Sequence, residues 1–132
     1  MAPKYENLSV LIIDDDRLMI RLIEHILRGM GFEDIHASQD PETGLALILE
    51  GDNIGDGFDL IICDWMMPNM TGIEILKRLR AKRLETPFIM LTANVSEAAV
   101  REASQSHVSA YLAKPFTPEQ VKRKVISALR HA

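Results

Sequence analysis

The sequence predicts an α/β domain built on a parallel sheet of five strands covered by helices on both faces. Three observations carry this. Apolar runs of strand length recur at Val10-Leu11-Ile12-Ile13, Leu60-Ile61-Ile62-Cys63 and Phe88-Ile89-Met90-Leu91. They do not alternate with polar residues, as suits strands buried on both faces. Stretches of helical period separate them, and such alternation argues for parallel strands joined by crossover helices.

The elements follow in order. Met1 to Asn7 is polar and is expected to be a loose N-terminal segment. Leu8 to Ile13 is the first strand. A helix follows Asp14-Asp15-Asp16, with Leu18, Met19, Leu22, Ile23, Ile26 and Leu27 on its inner side. Gly29 and Gly31 close it. Ile35-His36-Ala37 is a short strand. Asp40-Pro41 caps and starts a helix to Glu50, and Gly51 to Gly57 reads as a surface loop. After the central strand, Pro68, Asn69 and Gly72 signal a loop. A third helix covers Thr71 to Arg83, with Ile73, Leu76 and Leu79 inward. Pro87 opens the fourth strand. Ser96 to Ser106 is a helix with Ala99, Val100 and Ala103 on one face. Ala110 to Ala113 is the last strand. Thr117-Pro118-Glu119-Gln120 supplies a cap, a proline at the first helical position and a capping-box Gln. The helix it starts turns Val121, Val125, Ile126 and Leu129 inward.

The 132 residues suit one domain, 1–132, without repeat or linker. With 47% hydrophobic and 26% charged residues, the composition is that of an ordinary globular protein. A net charge of −4 does not favour nucleic acid as a partner. The single cysteine, Cys63, excludes an internal disulfide framework and reads as an inert buried thiol. No signal-peptide core and no membrane-length apolar run occur, so a cytoplasmic protein without membrane contact is expected. His25, His36, His107 and His131 show no metal-ligand spacing. Met66, Met67, Met70 and Met90 read as loop and core residues.

Right-handed crossovers bring every strand's carboxyl end to one edge, where ligands of open α/β sheets bind. Four strands end at Asp14-Asp15, Asp64, Thr92 and Lys114. Each alone has a bland reading: Asp64 as a turn cap, Asp14 to Asp16 as a helix-start charge cluster, Thr92 and Lys114 as strand-end surface residues. Together they set three carboxylates, one hydroxyl and one ammonium on one edge. Crowded carboxylates repel, and a hard cation with oxygen ligands, Mg²⁺ above all, relieves the repulsion. An ionised aspartate there is a competent nucleophile towards phosphorus. Lys114 and the Thr92 hydroxyl can each hold a phosphoryl oxygen.

At these residues the chain resembles the receiver domains of two-component response regulators. The matching pieces are Asp14-Asp15, Asp64-Trp65-Met66-Met67-Pro68-Asn69-Met70-Thr71-Gly72, Thr92-Ala93 and Lys114-Pro115-Phe116. The resemblance implies a doubly wound, flavodoxin-like fold with strand order 2-1-3-4-5. It implies phosphorylation of Asp64 by a histidine kinase or histidine phosphotransfer protein. Asp15, Asp64 and the Met66 carbonyl would hold Mg²⁺, with Asp14 acting through a coordinated water. The Lys114-Pro115 bond would be cis. Thr92 and Tyr111 would form the switch, altering the surface of the fourth helix, fifth strand and last helix. Thr71 stands where the family commonly has Asp or Asn, and Ser106 to Ala110 lacks the usual glycine.

With Arg130, His131 and Ala132 after Leu129, no output domain is expected and the reading is a stand-alone, chemotaxis-like regulator or phosphorelay shuttle, although an excised receiver would read the same. Lys122, Arg123, Lys124 and Arg130 form a basic patch suited to an acidic protein target. Met66 and Asn94 should flank the water route to the phosphoryl group. Met66 cannot orient water, which points to slow loss and to a partner phosphatase or back-transfer. Two alternatives stand behind this one. A dehalogenase-like phosphohydrolase would need an aspartate at position 66, and a phosphorylation-blind receiver would not need the acidic pair, Thr92 and Lys114 together. The protein is therefore expected to be a phosphoacceptor and not an enzyme.

Overall fold

Val10 to Ile13, Leu60 to Cys63 and Phe88 to Leu91 are each at most 1% exposed. Such runs need cover on both faces, and in the computed structural model, which describes residues 5–93 and 96–130, they receive it. β1 (Ser9–Ile13), β2 (Asp34–Ser38), β3 (Leu60–Asp64), β4 (Phe88–Thr92) and β5 (Ala110–Ala113) form one parallel sheet. Its order is β2-β1-β3-β4-β5, the flavodoxin-like order expected. α1 (Arg17–Met30), α2 (Pro41–Asn53), α3 (Gly72–Ala81), α4 (Glu97–Gln105) and α5 (Pro118–Arg130) are the crossovers and the final helix.

Alternate side chains of β1, β3 and β4 feed two separate cores. Leu11, Ile13, Ile61, Cys63 and Met90 pack with residues of α2, α3 and α4. Val10, Ile12, Leu60, Ile62 and Leu91 pack with α1 and α5. Cys63 is buried and free, and burial pushes its thiol pKa well up, with the Asp64 and Asp14 charges adding to this. That fits the inert thiol expected. Among the described residues, no helix is long and apolar enough to cross a membrane.

Helix faces and ends depart from the sequence reading in identifiable ways. In α1 the buried stripe is Ile20, Ile23, Ile26 and Leu27. Leu18 is 73% exposed and Leu22 is also exposed. At 3.6 residues per turn, Ile20, Ile23 and Leu27 share a face that Leu18 and Leu22 do not reach. Gly31, not Gly29, ends the helix, in the left-handed region at φ 108°. α2 continues to Asn53, through residues expected to be loop. Gly51 does not break it: a Cβ there would lie 2.8 Å from the Asp56 carbonyl oxygen, so the glycine lets the chain return closely past the helix.

α3 is shorter at both ends than expected, because Thr71 is its N-cap, accepting from Glu74 N, and Lys82 its C-cap. In α4 Ala99 and Ala103 are buried, whereas Val100 is 43% exposed. In α5 the buried residues are Val121, Val125 and Ala128, at spacing 4 and 3; Ile126 is exposed. Its capping box forms: Thr117 N donates to Gln120 Oε1 at 2.8 Å and Gln120 N to Thr117 Oγ1 at 3.2 Å. Within the segment expected to be loose, Tyr5–Asn7 form a 3-10 turn, and the Tyr5 ring stacks on Phe32 with centroids 4.6 Å apart.

Candidate functional site

The carboxyl ends of β1, β3, β4 and β5 meet as parallel pairing requires. Asp14 follows the last residue of β1. Its backbone N–H donates to the Ser38 carbonyl at 3.1 Å, and its Oδ1 accepts from Asp16 N at 2.9 Å. Asp16 itself caps α1 by accepting from Leu18 N, so of the three consecutive aspartates it has the capping duty. Asp15 is exposed. Asp64 closes β3 and is 6% exposed; Asp14 is fully buried. Carboxylate oxygens of Asp14, Asp15 and Asp64 lie within 4.8 Å of one another.

Lys114 reaches this cluster from the end of β5. Its Nζ is 3.1 Å from Asp64 Oδ1 and 3.7 Å from Asp14 Oδ2. Its backbone N–H donates to the Thr92 carbonyl at 2.8 Å, which fixes it to the end of β4. The Lys114-Pro115 bond is cis. One ammonium does not balance three carboxylates. Asp14 Oδ2 is buried without a hydrogen-bond partner, and burial pushes the Asp14 pKa up to about 6, the backbone N–H of Asp16 opposing and the Asp64 charge adding. Asp64 is also raised, first by burial, with Lys114 opposing. A buried acceptor without a hydrogen bond, next to two more carboxylates, is a ligand set that fits a hard divalent cation such as Mg²⁺.

Thr92 is buried at the end of β4, and its side chain is hydrogen-bonded to the Tyr111 phenol, whose pKa is raised by burial and lowered by this bond. The Tyr111 ring meets Trp65 edge to face, centroids 6.4 Å apart at 79°. Trp65 directly follows Asp64 and is itself buried. The sequence did not disclose this contact: one ring follows β3 and the other lies in β5, and only the register of β3, β4 and β5 brings them together. Ser38, whose carbonyl receives the Asp14 N–H, was missed too. Its position at the same strand edge was the available signal.

The loop after Asp64 is pinched at its base. Gly72 N donates to the Trp65 carbonyl at 2.8 Å. A Cβ on Gly72 would collide with the Asp64 carbonyl oxygen and come within 2.9 Å of Met90 Sδ, so only glycine lets α3 start this close to the site. Asn69 takes φ 75° within the loop. Met66 stands on the rim, 67% exposed. Asn94 lies outside the described residues.

Residues 10–126 match the family model of the response regulator receiver domain. The chain is 38% identical over 120 residues to the chemotaxis protein CheY of Pseudomonas aeruginosa, covering 89% of this chain and 93% of that protein. It is 36% identical over 122 residues to the chemotaxis protein CheY-3 of Vibrio cholerae, covering 91% and 90%. Among solved structures, the receiver domain of the Francisella response regulator 1452 matches with a TM-score of 0.81 at 34% identity, over 96% of this chain and 100% of that one. Vibrio cholerae CheY4 matches with a TM-score of 0.80 at 30% identity, over 92% and 98%. The edge that gathers Asp14, Asp15, Asp64, Thr92 and Lys114 is thus set in a chain that belongs to the receiver domain family of response regulators.

Proposed function

We propose that this receiver takes a phosphoryl group onto Asp64 from the phosphohistidine of a histidine kinase or histidine phosphotransfer protein, and that the modification alters the face formed by α4, β5 and α5. The observation that carries the proposal is the Asp64 carboxylate at the end of the central strand. It sits 3.1 Å from the Lys114 ammonium, inside a cluster with the buried Asp14 Oδ2, which has no hydrogen bond.

Asp64 must be ionised to attack phosphorus, and Lys114 opposes the burial that would keep it protonated. An aspartate oxygen forms the new bond to phosphorus as the bond to the donor imidazole nitrogen breaks. Lys114 can then pair with one phosphoryl oxygen and the Thr92 hydroxyl with another. Asp15, Asp64 and the Met66 carbonyl would hold Mg²⁺, with Asp14 contributing through a water; the bound ion would supply charge neutralisation for the phosphoryl oxygens. Met66, two residues after the acceptor, offers no acid for turnover. This supports a phosphoacceptor over a phosphohydrolase. A cytoplasmic setting, with protein partners and neither nucleic acid nor membrane, belongs to the same reading.

The test is the intact mass after incubation with a small phosphodonor. One phosphoryl group should appear with Mg²⁺ and none with a chelator; uptake in the chelator would overturn the metal requirement. Lys114→Ala should keep its melting temperature within a few degrees when Mg²⁺ is present, a side chain at a solvent-facing edge being dispensable for folding. Its affinity for the phosphoryl mimic beryllofluoride should fall about tenfold or more, as loss of a charge-assisted contact predicts. Unchanged affinity would remove Lys114 from its role.

The Thr92–Tyr111 hydrogen bond supports a route from site to surface. If the Thr92 hydroxyl turns to the phosphoryl group, Tyr111 loses that partner and its ring is free to repack against Trp65. A groove of about 670 Å³ lies on the affected face, lined by Val100, Tyr111, Pro115, Arg123 and Lys124 among others. Its cationic side fits an acidic protein target, while Lys122 is partly engaged by Glu119 at 3.6 Å. Beryllofluoride should shift the amides of Tyr111 and α5 in the wild type and leave them in place in Thr92→Ala. Shifts confined to the loop after Asp64 would rule this route out. Loss of the phosphoryl group should be slow, with removal left to a phosphatase or back-transfer, because Met66 is apolar and rim-exposed; Asn94 would be the water-orienting neighbour. Met66→Asn should therefore lose phosphate faster, and an unchanged or slower rate would contradict this.

A further inference from the structure

Arg80, on the last turn of α3, makes four hydrogen bonds to three backbone carbonyls. Nη1 donates to Leu84 at 2.7 Å and to Thr86 at 3.0 Å. Nε and Nη2 both donate to His107, at 3.1 and 3.0 Å. The acceptors belong to two different loops, one after α3 and one after α4.

Both loops begin with the same motif. After α3, Arg83 N donates to Arg80 O and Leu84 N to Leu79 O; after α4, His107 N donates to Ser104 O and Val108 N to Ala103 O. This paired closure puts the residue after the C-cap in the left-handed region, which glycine occupies most readily. Gly31 fills that place after α1. After α3 and α4 it is held by Arg83 and His107, each at φ 62°, a conformation unfavourable to residues with a Cβ. The two glycine-less turns meet at one guanidinium. Arg, with its planar fork of donors, suits several carbonyls at once.

Neighbouring contacts fasten the same end. Lys77 of α3 pairs with Glu102 of α4 at 3.3 Å, and Ser109 exchanges two hydrogen bonds with Phe88 at the start of β4. This is the end of α4 remote from Thr92, because the helix runs back from the carboxyl edge of the sheet. We propose that Arg80 is a clamp that locks the C-terminal end of α4 to α3, in place of the missing glycines. That end of the helix then acts as a fixed pivot, and displacement on switching is confined to the half nearer the site. The pivot role rests on the phosphoacceptor reading; the clamp does not.

Amide hydrogen exchange tests the clamp without any ligand. Arg80→Gln should raise exchange at Ser106, His107 and Val108 about tenfold or more, as local opening of a released turn predicts. Adding His107→Gly to Arg80→Gln should return much of the protection, because glycine takes the left-handed conformation unaided. If Arg80 served only general packing, the second change would add to the loss. Unchanged exchange in Arg80→Gln, or no recovery in the double variant, overturns the clamp. With Mg²⁺ and beryllofluoride, amide shifts in the wild type should fade along α4 towards Ala103 to Val108 and should reach those residues in Arg80→Gln. The same profile in both proteins overturns the pivot. A wild type that gives no response to the mimic would count against the acceptor reading alone, and the exchange result would still decide the clamp.

Discussion

Asp64→Asn will abolish phosphoryl uptake from small donors and, without divalent ions, raise the melting temperature. The first effect follows from removing the nucleophile: an amide cannot form the acyl phosphate. The second follows from charge. Burial, with Lys114 opposing and the Asp15 charge adding, disfavours the ionised form of Asp64, so near neutral pH the folded state carries a penalty that the unfolded state does not. The substitution leaves Lys114 with Asp14 at 3.7 Å as its partner and reduces the local excess of negative charge. Thermal unfolding in chelator checks this. A variant less stable than the wild type under those conditions would mean that the Lys114–Asp64 pair stabilises the fold more than the crowding harms it. Label at the wild-type level would place the acceptor elsewhere.

Asp14 should make metal-free stability fall as pH rises from about 4 to about 6. Its pKa goes from 3.8 to about 6 on folding, so between those values the folded state binds the extra proton. A raised acid contributes stability that is fully present below its unfolded pKa and is lost as pH rises through the folded one. At about 1.36 kcal/mol per unit the shift corresponds to roughly 3 kcal/mol, which solvent at the exposed Asp15 side should screen to about 2. Other carboxylates titrate in the same range, so the informative quantity is the difference between wild type and Asp14→Asn. That difference should widen in favour of Asn as pH rises to 7 in chelator, and Mg²⁺ should stabilise the wild type more than the variant by mass action. A difference flat from pH 4 to 7 would contradict the assignment.

Most of the site was legible because each of its residues ends an apolar run. Asp64 and Thr92 stand where burial on both faces stops, Lys114 ends the half-buried edge strand β5, and parallel crossovers leave one place for all three. What the strand ends could not disclose is how side chains meet across the register. The Thr92–Tyr111 hydrogen bond was foreseen only as a functional pairing, and the Trp65–Tyr111 contact not at all. Helix faces were read less well. Leu18 and Leu22 share a helical face with each other but not with Ile20, Ile23 and Leu27, and their apolar character alone gave the wrong side. Val100 and Ile126 misled in the same way, since α4 and α5 bury alanines, Ala99, Ala103 and Ala128, where they approach the sheet. The clamp at Arg80 was invisible for another reason. Its acceptors are backbone carbonyls, which every sequence has, and their convergence depends on two turns closing without glycine.

Phosphate on Asp64 can be located chemically. Borohydride reduction of the phosphorylated protein converts an aspartyl phosphate to homoserine, and peptide mass mapping then locates the altered residue. Homoserine should appear at position 64 alone, and only when Mg²⁺ was present during phosphorylation. Homoserine at position 14 or 15 with Asp64 intact, or at position 64 after phosphorylation in chelator, would contradict this.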